Sequence, residues 1–216
     1  MKKAADLAQE HWNETALFLT EEQRYSTYPW LYEMAEFRHH TGERVLEIGC
    51  GTGCDLLQFA KHGATAIGID ITQEHLRLAK ERVGGSAEVK YGDAREIPVA
   101  DGTIDYVYSH GVIHHSDEPE KIVSEIMRVL RPGGRFNIHV YSKWSYYPLR
   151  LMLQFGSRWK SYIENSRMPV HIDLYTGRKL RRLFPVPISI QKREFAAIPV
   201  LQRWFGWYLI ATGRKE

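Results

Sequence analysis

Residues 44–57 read RVLEIGCGTGCDLL, an apolar run that passes through a glycine-rich turn into a helical pattern. The apolar residues of 45–48 are typical of a parallel strand that is covered on both faces. Gly49, Gly51 and Gly53 allow a sharp turn and let a ligand approach the backbone without interference from a Cβ atom. The helix that follows directs free N–H groups towards the turn. The pattern therefore predicts a bound anionic group, such as a phosphate or a carboxylate.

Two classes of ligand use a glycine turn of this kind. A dinucleotide-binding fold requires the spacing G-x-G-x-x-G, and Cys54 stands where the third glycine is needed. The observed pattern is instead Glu-x-Gly-x-Gly-x-Gly, which resembles motif I of the class I S-adenosylmethionine-dependent methyltransferases. A strand–turn–helix connection without any ligand is the simplest alternative, but matches to the same family continue across residues 44–141.

The resemblance implies where the cofactor S-adenosylmethionine and its product S-adenosylhomocysteine bind. Asp70 ends the predicted second strand, 21 residues after the first glycine of the turn, where an acidic side chain can accept hydrogen bonds from both ribose hydroxyls. NAD would use the same residue, and a purely structural role would be to cap the next helix, for which Thr72 is available. Ile71 is expected against the adenine face, and Asp93 and Ala94 at the adenine amine and a ring nitrogen. The full set of predicted cofactor-binding residues is Tyr25, Glu47, Gly49, Cys50, Gly51, Asp70, Ile71, Asp93, Ala94, Ser109 and His110.

Three further segments match the family. Residues 97–109 resemble the run that forms the fourth strand, residues 110–115 resemble the leucine–histidine–histidine segment behind it, and residues 128–134 read RVLRPGG. No Asn-Pro-Pro-Tyr or Asp-Pro-Pro-Tyr follows the fourth strand, which counts against an enzyme that methylates exocyclic amines of nucleic-acid bases. Ser109 and His110 fall at the carboxyl end of this strand, where open α/β sheets bind ligands.

The same resemblance implies an α/β fold with a Rossmann-like methyltransferase sheet. Seven strands are expected, mostly parallel with an antiparallel last strand, and helices cover both faces. Hydrophobic periodicity predicts strands at 64–70, 87–91, 106–109 and 135–141, helices at 54–62, 72–83 and 119–130, and a final antiparallel pair at 188–195 and 207–212.

Residues 1–216 are predicted to form a single methyltransferase domain. Within it, residues 1–40 are expected to be a helical arm and residues 142–170 a small cap insertion that covers the substrate. In the arm, Ser26 or Thr27 is expected to cap a helix. That helix would carry one apolar face, formed by Trp30, Met34 and Phe37.

Composition narrows the class of protein. The 216 residues are 44% hydrophobic, which suffices for a core, yet no apolar run reaches 18 residues, so no transmembrane segment is expected. The first residues lack the apolar region of a signal peptide, and a cytoplasmic location is expected. Cys50 and Cys54 both lie in the glycine turn, where reduced thiols are expected rather than a disulfide or a metal site.

Charge is distributed unevenly along the chain. Residues 143–216 hold 14 Lys or Arg and 4 Asp or Glu, a net +10, whereas residues 1–142 hold 15 and 22, a net −7. The predicted cap combines aromatic residues with cations that include Arg150, Arg158, Lys160 and Arg167. This mixture predicts an aromatic or lipophilic acceptor that carries a carboxylate or phosphate, with nucleic acid disfavoured. A merely solvated surface would have the same composition.

Methyl transfer to a hydroxyl, phenol or ammonium acceptor requires loss of a proton, for which a histidine is suited near neutral pH. The candidate bases are His171, His110 and His114, and proximity alone could suffice for an acidic acceptor. The favoured function is a small-molecule methyltransferase acting on O, N or C. The alternatives are an RNA or protein methyltransferase that uses the basic C-terminal third, and a non-catalytic S-adenosylmethionine-binding protein.

Overall fold

The computed structural model describes residues 9–13, 19–163, 171–194 and 201–216. Seven strands in these ranges form one sheet in the order β3-β2-β1-β4-β5-β7-β6. Their bounds are β1 Arg44–Ile48, β2 Thr65–Asp70, β3 Glu88–Tyr91, β4 Ile104–His110, β5 Leu130–Tyr141, β6 Ile188–Arg193 and β7 Tyr208–Arg214. Strand β7 is antiparallel to both of its neighbours, and the pairs among the first five strands are parallel. The predicted α/β methyltransferase sheet is confirmed.

Helices cover both faces of the sheet. Their bounds are α1 Glu21–Thr27, α2 Leu31–Met34, α3 Cys54–Lys61, α4 Gln73–Val83, α5 Pro119–Val129, α6 Tyr146–Phe155, α7 Gly177–Leu183 and α8 Gln202–Phe205, with 3₁₀ turns at Phe37–His39, Ile113–His115 and Gly156–Tyr162. Leu56 and Phe59 of α3 pack with α4 in one buried cluster. Ile122 and Ile126 of α5 pack with α7 in another. The sheet therefore has an apolar layer on each face, as parallel strands require.

Two glycines allow α3 to lie close to its neighbours. A Cβ atom on Gly68 of β2 would come within 2.6 Å of Leu56 Cδ2, and one on Gly53 would come within 3.1 Å of the Ala79 backbone. Gly53 also has φ = 80°, in the left-handed region that favours glycine. The turn after β1 thus depends on glycine for its conformation and for the packing of the helix behind it.

The arm differs from its prediction. Thr20 caps α1 in a reciprocal capping box with Gln23. Ser26 and Thr27 lie in the last turn of that helix, where both hydroxyls donate to the Gln23 carbonyl. The prediction that Ser26 or Thr27 begins a helix reaching Phe37 is therefore wrong. The capping box starts the helix earlier, so the chain turns before reaching the short helix α2.

The start of β5 also differs from its prediction. The sequence predicts a helix over 119–130 and a strand that begins at 135, but α5 ends at Val129 and β5 already begins at Leu130. The register shifts between Ile104 and Tyr106 of β4, which marks an irregular pairing opposite this segment. Lys215 explains the extension, because its carbonyl accepts from Gly133 N at 2.8 Å and its N–H donates to the Gly134 carbonyl at 2.9 Å.

The described part of the predicted cap, residues 142–163, contains α6 and a 3₁₀ turn. Leu151 and Ile163 pack there with Tyr141 and Trp207. Its separate status as a cap, like the single-domain boundary, remains a prediction. Arg167 of the cap and Phe195 of the predicted final pair lie outside the described residues. In the described ranges no helix combines the length and apolar character needed to cross a bilayer.

Candidate functional site

A cavity of about 370 Å³ opens at the carboxyl ends of β1, β2 and β4. Strand β1 lies between β2 and β4 in the sheet, so the strand order reverses direction at this point. Ligands of open α/β sheets bind at such a reversal. Further wall residues come from distant parts of the chain: Arg24 and Tyr28 from the arm and Tyr208 from β7.

Nine predicted cofactor-binding residues line this cavity: Glu47, Gly49, Cys50, Gly51, Asp70, Ile71, Asp93, Ala94 and His110. Asp70 joins the two loops at its base, because its carboxylate accepts from Gly51 N and Thr72 N, each at 2.9 Å. The Thr72 hydroxyl makes no capping hydrogen bond at the start of α4, contrary to the sequence prediction. The carboxylate of Asp70, rather than the Thr72 side chain, orders the start of that helix.

Glu47 is a buried carboxylate on the cavity wall, with a side chain only 3% exposed. Among the residues that the structure describes, its Oε2 has no hydrogen-bond partner. Burial raises the pKa of Glu47 well above its usual value, and the negative charges of Asp55 and Asp70 raise it further, against the opposing effect of Arg24. Such a group needs a donor or a cation from a bound molecule.

The glycine turn uses its own N–H groups internally. Gly49 N and Cys50 N donate to the Ile69 carbonyl at 2.8 and 3.0 Å, and Gly51 N donates to Asp70. These three groups are therefore engaged with β2 rather than directed at a ligand. This arrangement does not favour the anionic ligand that the turn alone predicted, because the cradle for a phosphate needs several free amides.

Sequence reasoning missed the ion pair that forms another part of the wall. Arg24 of α1 donates from Nε and Nη2 to the two carboxylate oxygens of Asp55 at 2.6 and 2.5 Å. Tyr25 and Tyr108 donate to the same carboxylate, each at 3.0 Å. Burial by itself raises the pKa of Asp55, but Arg24 and these hydrogen bonds hold it below the ordinary value. The network forms only in the folded structure, where α1 packs against the first turn of α3.

Two predicted cofactor-binding residues do not line the cavity. The Tyr25 hydroxyl is used by Asp55, and its ring packs against Tyr32 and Phe37. Ser109 is fully buried, and its hydroxyl donates to the Ile48 carbonyl at 3.1 Å. Their positions give no support to a direct contact with a cofactor. Both side chains instead connect the elements that carry the wall.

Asp93 lies on the wall but is already bound by Arg95. The guanidinium of Arg95 spans both carboxylate oxygens at 2.7–3.1 Å, and Arg95 N donates to Oδ1 at 2.8 Å. Burial raises the pKa of Asp93, but these hydrogen bonds bring it below its ordinary value. Asp93 is thus an ionised acceptor held in one orientation at the edge of the cavity.

Two side chains and one backbone carbonyl define the proton positions of His110. Asn137 Nδ2 donates to the Met34 carbonyl at 2.6 Å, and a carbonyl can only accept, so the amide oxygen must face His139. That oxygen accepts from His139 Nε2 at 2.9 Å. Burial lowers the pKa of His139 to about 3, so the ring is neutral and its Nδ1 carries no proton.

His110 is therefore the donor in its 2.9 Å contact between the two Nδ1 atoms. Burial also lowers the pKa of His110 well below its usual value, and nearby Arg24 lowers it further. With the proton on Nδ1, the lone pair lies on Nε2. His110 lines the cavity and stacks on Tyr208 with ring centroids 4.7 Å apart. The site thus holds a neutral imidazole with a defined basic nitrogen.

The other two candidate bases lie off the cavity wall. His114 is fully buried and stacks on Tyr141 with ring centroids 3.7 Å apart. His171 is exposed, and its carbonyl accepts a hydrogen bond from His115 at 2.9 Å. Neither position favours proton transfer inside the cavity, whereas that of His110 does.

Cys50 and Cys54 are free thiols at the cavity. Burial raises the pKa of both, that of Cys54 to about 11, so each is a neutral thiol at pH 7. In the described ranges no group of three or more His, Cys, Asp or Glu side chains is arranged to hold a metal ion.

Trp12, His75 and Tyr208 are further wall residues that no motif in the sequence indicated. Val112 and His115 of the leucine–histidine–histidine segment also line the wall, as does Tyr141 at the end of β5. Trp12 lies near His115, with ring centroids 5.6 Å apart, which places the start of the described chain beside the 3₁₀ turn that follows β4. The wall is therefore richer in aromatic rings than the glycine turn suggested.

Comparisons with known proteins agree with this geometry. A family model for a methyltransferase domain matches residues 46–138. An uncharacterized methyltransferase from Synechocystis is 30% identical over 146 residues, which cover 56% of this chain and 68% of the relative.

Two relatives have more specific names. A demethylmenaquinone methyltransferase from Thermobifida fusca is 33% identical over 123 residues, covering 55% of this chain and 52% of the relative. A phosphatidylethanolamine N-methyltransferase from Cereibacter sphaeroides is 40% identical over 98 residues, covering 43% and 48%. The chain thus spans about half to two thirds of the length of these curated relatives.

The crystal structure of an S-adenosylmethionine-dependent methyltransferase from Methanosarcina mazei aligns with a TM-score of 0.67 at 20% identity. The alignment covers 86% of this chain and 98% of that one. At this identity the likeness concerns the fold alone.

Proposed function

The chain belongs to the class I S-adenosylmethionine-dependent methyltransferases, and from this membership we propose that it transfers the methyl group of S-adenosylmethionine to a lipophilic small molecule. The observation that carries the proposal is the cavity wall at the ends of β1 and β2, where Glu47 and Asp70 lie. Two buried carboxylates suit a ligand with both cationic groups and hydroxyl groups.

The residues present fit S-adenosylmethionine. Glu47 offers a buried acceptor that lacks a partner among the described residues, as a cationic amino-acid moiety requires. Arg24 uses Nε and Nη2 on Asp55, and we assign its Nη1 to the ligand carboxylate. A Cβ atom on Gly51 would meet no described atom within 4 Å, so this wall leaves room for a ligand.

S-adenosylmethionine supplies an electrophilic methyl group on a sulfonium. The protein contributes position and proton removal. We assign the general base to Nε2 of His110, because the chain from Asn137 through His139 keeps the proton on Nδ1. The stack on Tyr208 restrains the ring. Burial keeps His110 neutral, and therefore able to accept a proton, down to an acidic pH.

The proposed acceptor is lipophilic for two reasons. Tyr28, Tyr141 and Tyr208 give the cavity an aromatic side next to His110. Two relatives are named after lipids, one after demethylmenaquinone and the other after phosphatidylethanolamine. The described cap cations Arg150, Arg158 and Lys160 do not line this cavity, so the proposal does not require an anionic acceptor.

The test is transfer of a labelled methyl group from S-adenosylmethionine into a whole-cell extract, followed by separation of lipids, RNA and protein and identification of the labelled product. Excess S-adenosylhomocysteine serves as the matched inhibition control. We expect a labelled lipid whose formation is abolished by this inhibitor and lowered in His110→Ala. Tight binding of S-adenosylhomocysteine without any labelled product would instead support the non-catalytic alternative. Product found only in RNA or protein would exclude a small-molecule acceptor.

A further inference from the structure

A second surface of the molecule is both apolar and basic. Six large apolar side chains are exposed there: Trp144, Leu149, Met152, Leu153, Trp204 and Phe205. Leu153 is 82% exposed and Trp144 is 67% exposed, which is unusual for side chains of this size. We name this the aromatic–basic surface. It lies apart from the cavity wall, and the proposed methyl transfer does not use it.

Lys192 connects the two halves of this surface. Its ammonium donates to the Trp144 carbonyl at 2.5 Å and to the Trp204 carbonyl at 2.7 Å. The segment before α6 and the helix α8 are therefore adjacent, although 60 residues separate the two tryptophans. Leu149, Met152 and Leu153 lie on one side of α6 at helical spacing, and α6 begins two residues after Trp144, so these exposed apolar side chains follow the joined segments closely.

The charged residues of the two segments that carry the patch have one sign. Lys143, Arg150, Arg158, Lys160 and Arg203 are all exposed, and residues 143–163 and 201–205 contain no Asp or Glu. Arg203 Cζ lies 3.7 Å from the centroid of the Trp204 ring, and Lys143 Nζ lies 5.6 Å from that of Trp144. Each tryptophan is thus exposed together with a cation.

We propose that the aromatic–basic surface docks on an anionic lipid bilayer. Tryptophan rings favour the level of the lipid headgroups, leucine and methionine side chains can enter the acyl boundary, and Lys and Arg attract anionic lipids. Helix α6 has 10 residues, which is about 15 Å and too short to span, so it would lie in the plane of the interface.

Two other occupants fit these observations less well. A symmetric dimer would bring the same patch of two copies together, and its cations would then face cations. A nucleic acid would satisfy the cations but would leave exposed leucines such as Leu153 without an apolar partner. A bilayer presents anionic headgroups at its surface and an apolar layer beneath them, so it can contact both the cations and the exposed leucines.

The surface is connected to the cavity through aromatic contacts. Trp207 stacks on Tyr141 of the cavity wall with centroids 4.3 Å apart, and it contacts Tyr147 of α6 at 5.0 Å. If the proposed lipophilic acceptor is correct, docking would bring this side of the cavity next to the layer that holds the acceptor. The docking itself rests on the surface and not on the proposed function.

The test is cosedimentation of the full chain with vesicles of phosphatidylcholine, with and without phosphatidylglycerol. We expect binding to the anionic vesicles, at least about fivefold weaker binding to pure phosphatidylcholine, and no competition by free glycerol phosphate. Leu153→Glu and Trp204→Glu should each lower binding by about fivefold or more. Tyr91→Glu is the matched control, because Tyr91 is a 55% exposed aromatic residue on β3, at the opposite edge of the sheet.

Titration with S-adenosylhomocysteine separates this proposal from the proposed function. Both surface variants should keep wild-type affinity for that ligand. Failure of the wild-type chain to bind it would contradict the proposed function and leave vesicle binding intact. The docking proposal is overturned if the chain does not bind anionic vesicles, if the two surface variants bind as well as Tyr91→Glu, or if gel filtration shows a dimer that Leu153→Glu dissociates.

Discussion

Glu47 ends in a buried carboxylate, one oxygen of which has no partner among the described residues. An unpaired buried group of this kind lowers the stability of the free protein. A ligand that supplies a hydrogen-bond donor or a cation to this oxygen restores the lost stability. Asp70, one strand away, differs because two backbone N–H groups already hold its carboxylate in place. The two acidic residues therefore have different roles in the free protein, although the sequence predicts both as cofactor-binding residues.

Replacing Glu47 with glutamine should stabilise the free protein and weaken cofactor binding. The pKa of Glu47 is raised, so this group favours folding at low pH and opposes it as the pH rises through that pKa. At pH 8 we expect Glu47→Gln to raise the free energy of unfolding by about 1–2 kcal/mol in urea titrations. The gain should shrink towards pH 5. Calorimetry should show roughly tenfold or greater loss of affinity for S-adenosylmethionine. A destabilised variant would contradict the assignment.

His110 gives a prediction about pH. Its pKa is lowered, so the base should stay functional well below pH 6.5, and turnover should fall only at more acidic pH. His110→Ala should lower turnover by about 10²–10⁴-fold. Asn137→Asp should move the acidic limb of the pH profile to higher pH by about one unit. The reason is that a carboxylate at position 137 would stabilise a positive charge on the hydrogen-bonded pair of His139 and His110. His171→Ala is the control, and a loss of turnover in that variant equal to that in His110→Ala would return the role of base to His171.

At the scale of elements, α1 joins the sheet through a buried ion pair. Arg24 and Asp55 connect this helix to the first turn of α3, and Tyr108 extends the network into β4. The pKa of Asp55 is lowered, so its contribution to stability is present at neutral pH and is lost as the pH falls below the ordinary carboxylate value. The arm is thus held in place by charge as well as by its aromatic rings.

Breaking this ion pair should lower the free energy of unfolding of the arm or of the whole protein. Arg24→Met leaves Asp55 buried without its cation, and we expect a loss of about 3–5 kcal/mol in urea unfolding. The double variant Arg24→Met with Asp55→Leu should recover most of that loss. Arg77→Met provides a control on α4, where the ion pairs are fully exposed and the free energy of unfolding should hardly change. Equal losses in the single and double variants would show that packing of Arg24, not its charge, stabilises the arm.

At the scale of the whole molecule, the cavity wall combines residues from both ends of the described chain. Trp12 and Arg24 come from the arm, and Tyr208 comes from the last strand. Strand β7 is inserted between β5 and β6, so its first residue lies beside the ends of the parallel strands. A ligand in the cavity must therefore stabilise contacts that are distant in sequence.

This arrangement predicts a distributed response to ligand. S-adenosylhomocysteine at about 100 times its dissociation constant should add about 2.7 kcal/mol to the free energy of unfolding. Hydrogen exchange should slow in α1, in the turn after β1 and at the start of β7, but not in β3 or β6 beyond the effect of global stability. Protection confined to residues 44–110 would show that the arm and the last strand do not contribute to binding.

The sequence alone determined the class of fold and the centre of the site. Apolar runs ended by the glycine turn and by Asp70 and Asp93 are local signals, because strand burial and turn conformation depend on neighbouring residues. These signals placed most strands within a few residues. The resemblance of the Glu-x-Gly-x-Gly-x-Gly pattern to motif I of the class I methyltransferases led to nine of the wall residues and favoured this family over a dinucleotide-binding fold.

Tertiary structure decided what depends on distant partners. Arg24 has no local motif, and only its contact with Asp55 makes it part of the wall. The proton positions of His110 depend on Asn137 and on the Met34 carbonyl, more than 100 residues from Asn137. The start of β5 depends on pairing with Lys215. The aromatic–basic surface exists because Lys192 brings together two tryptophans that a sequence pattern cannot relate. Hydrogen bonds and burial between such distant residues have no periodic signal in the sequence, since only the folded backbone sets their distances.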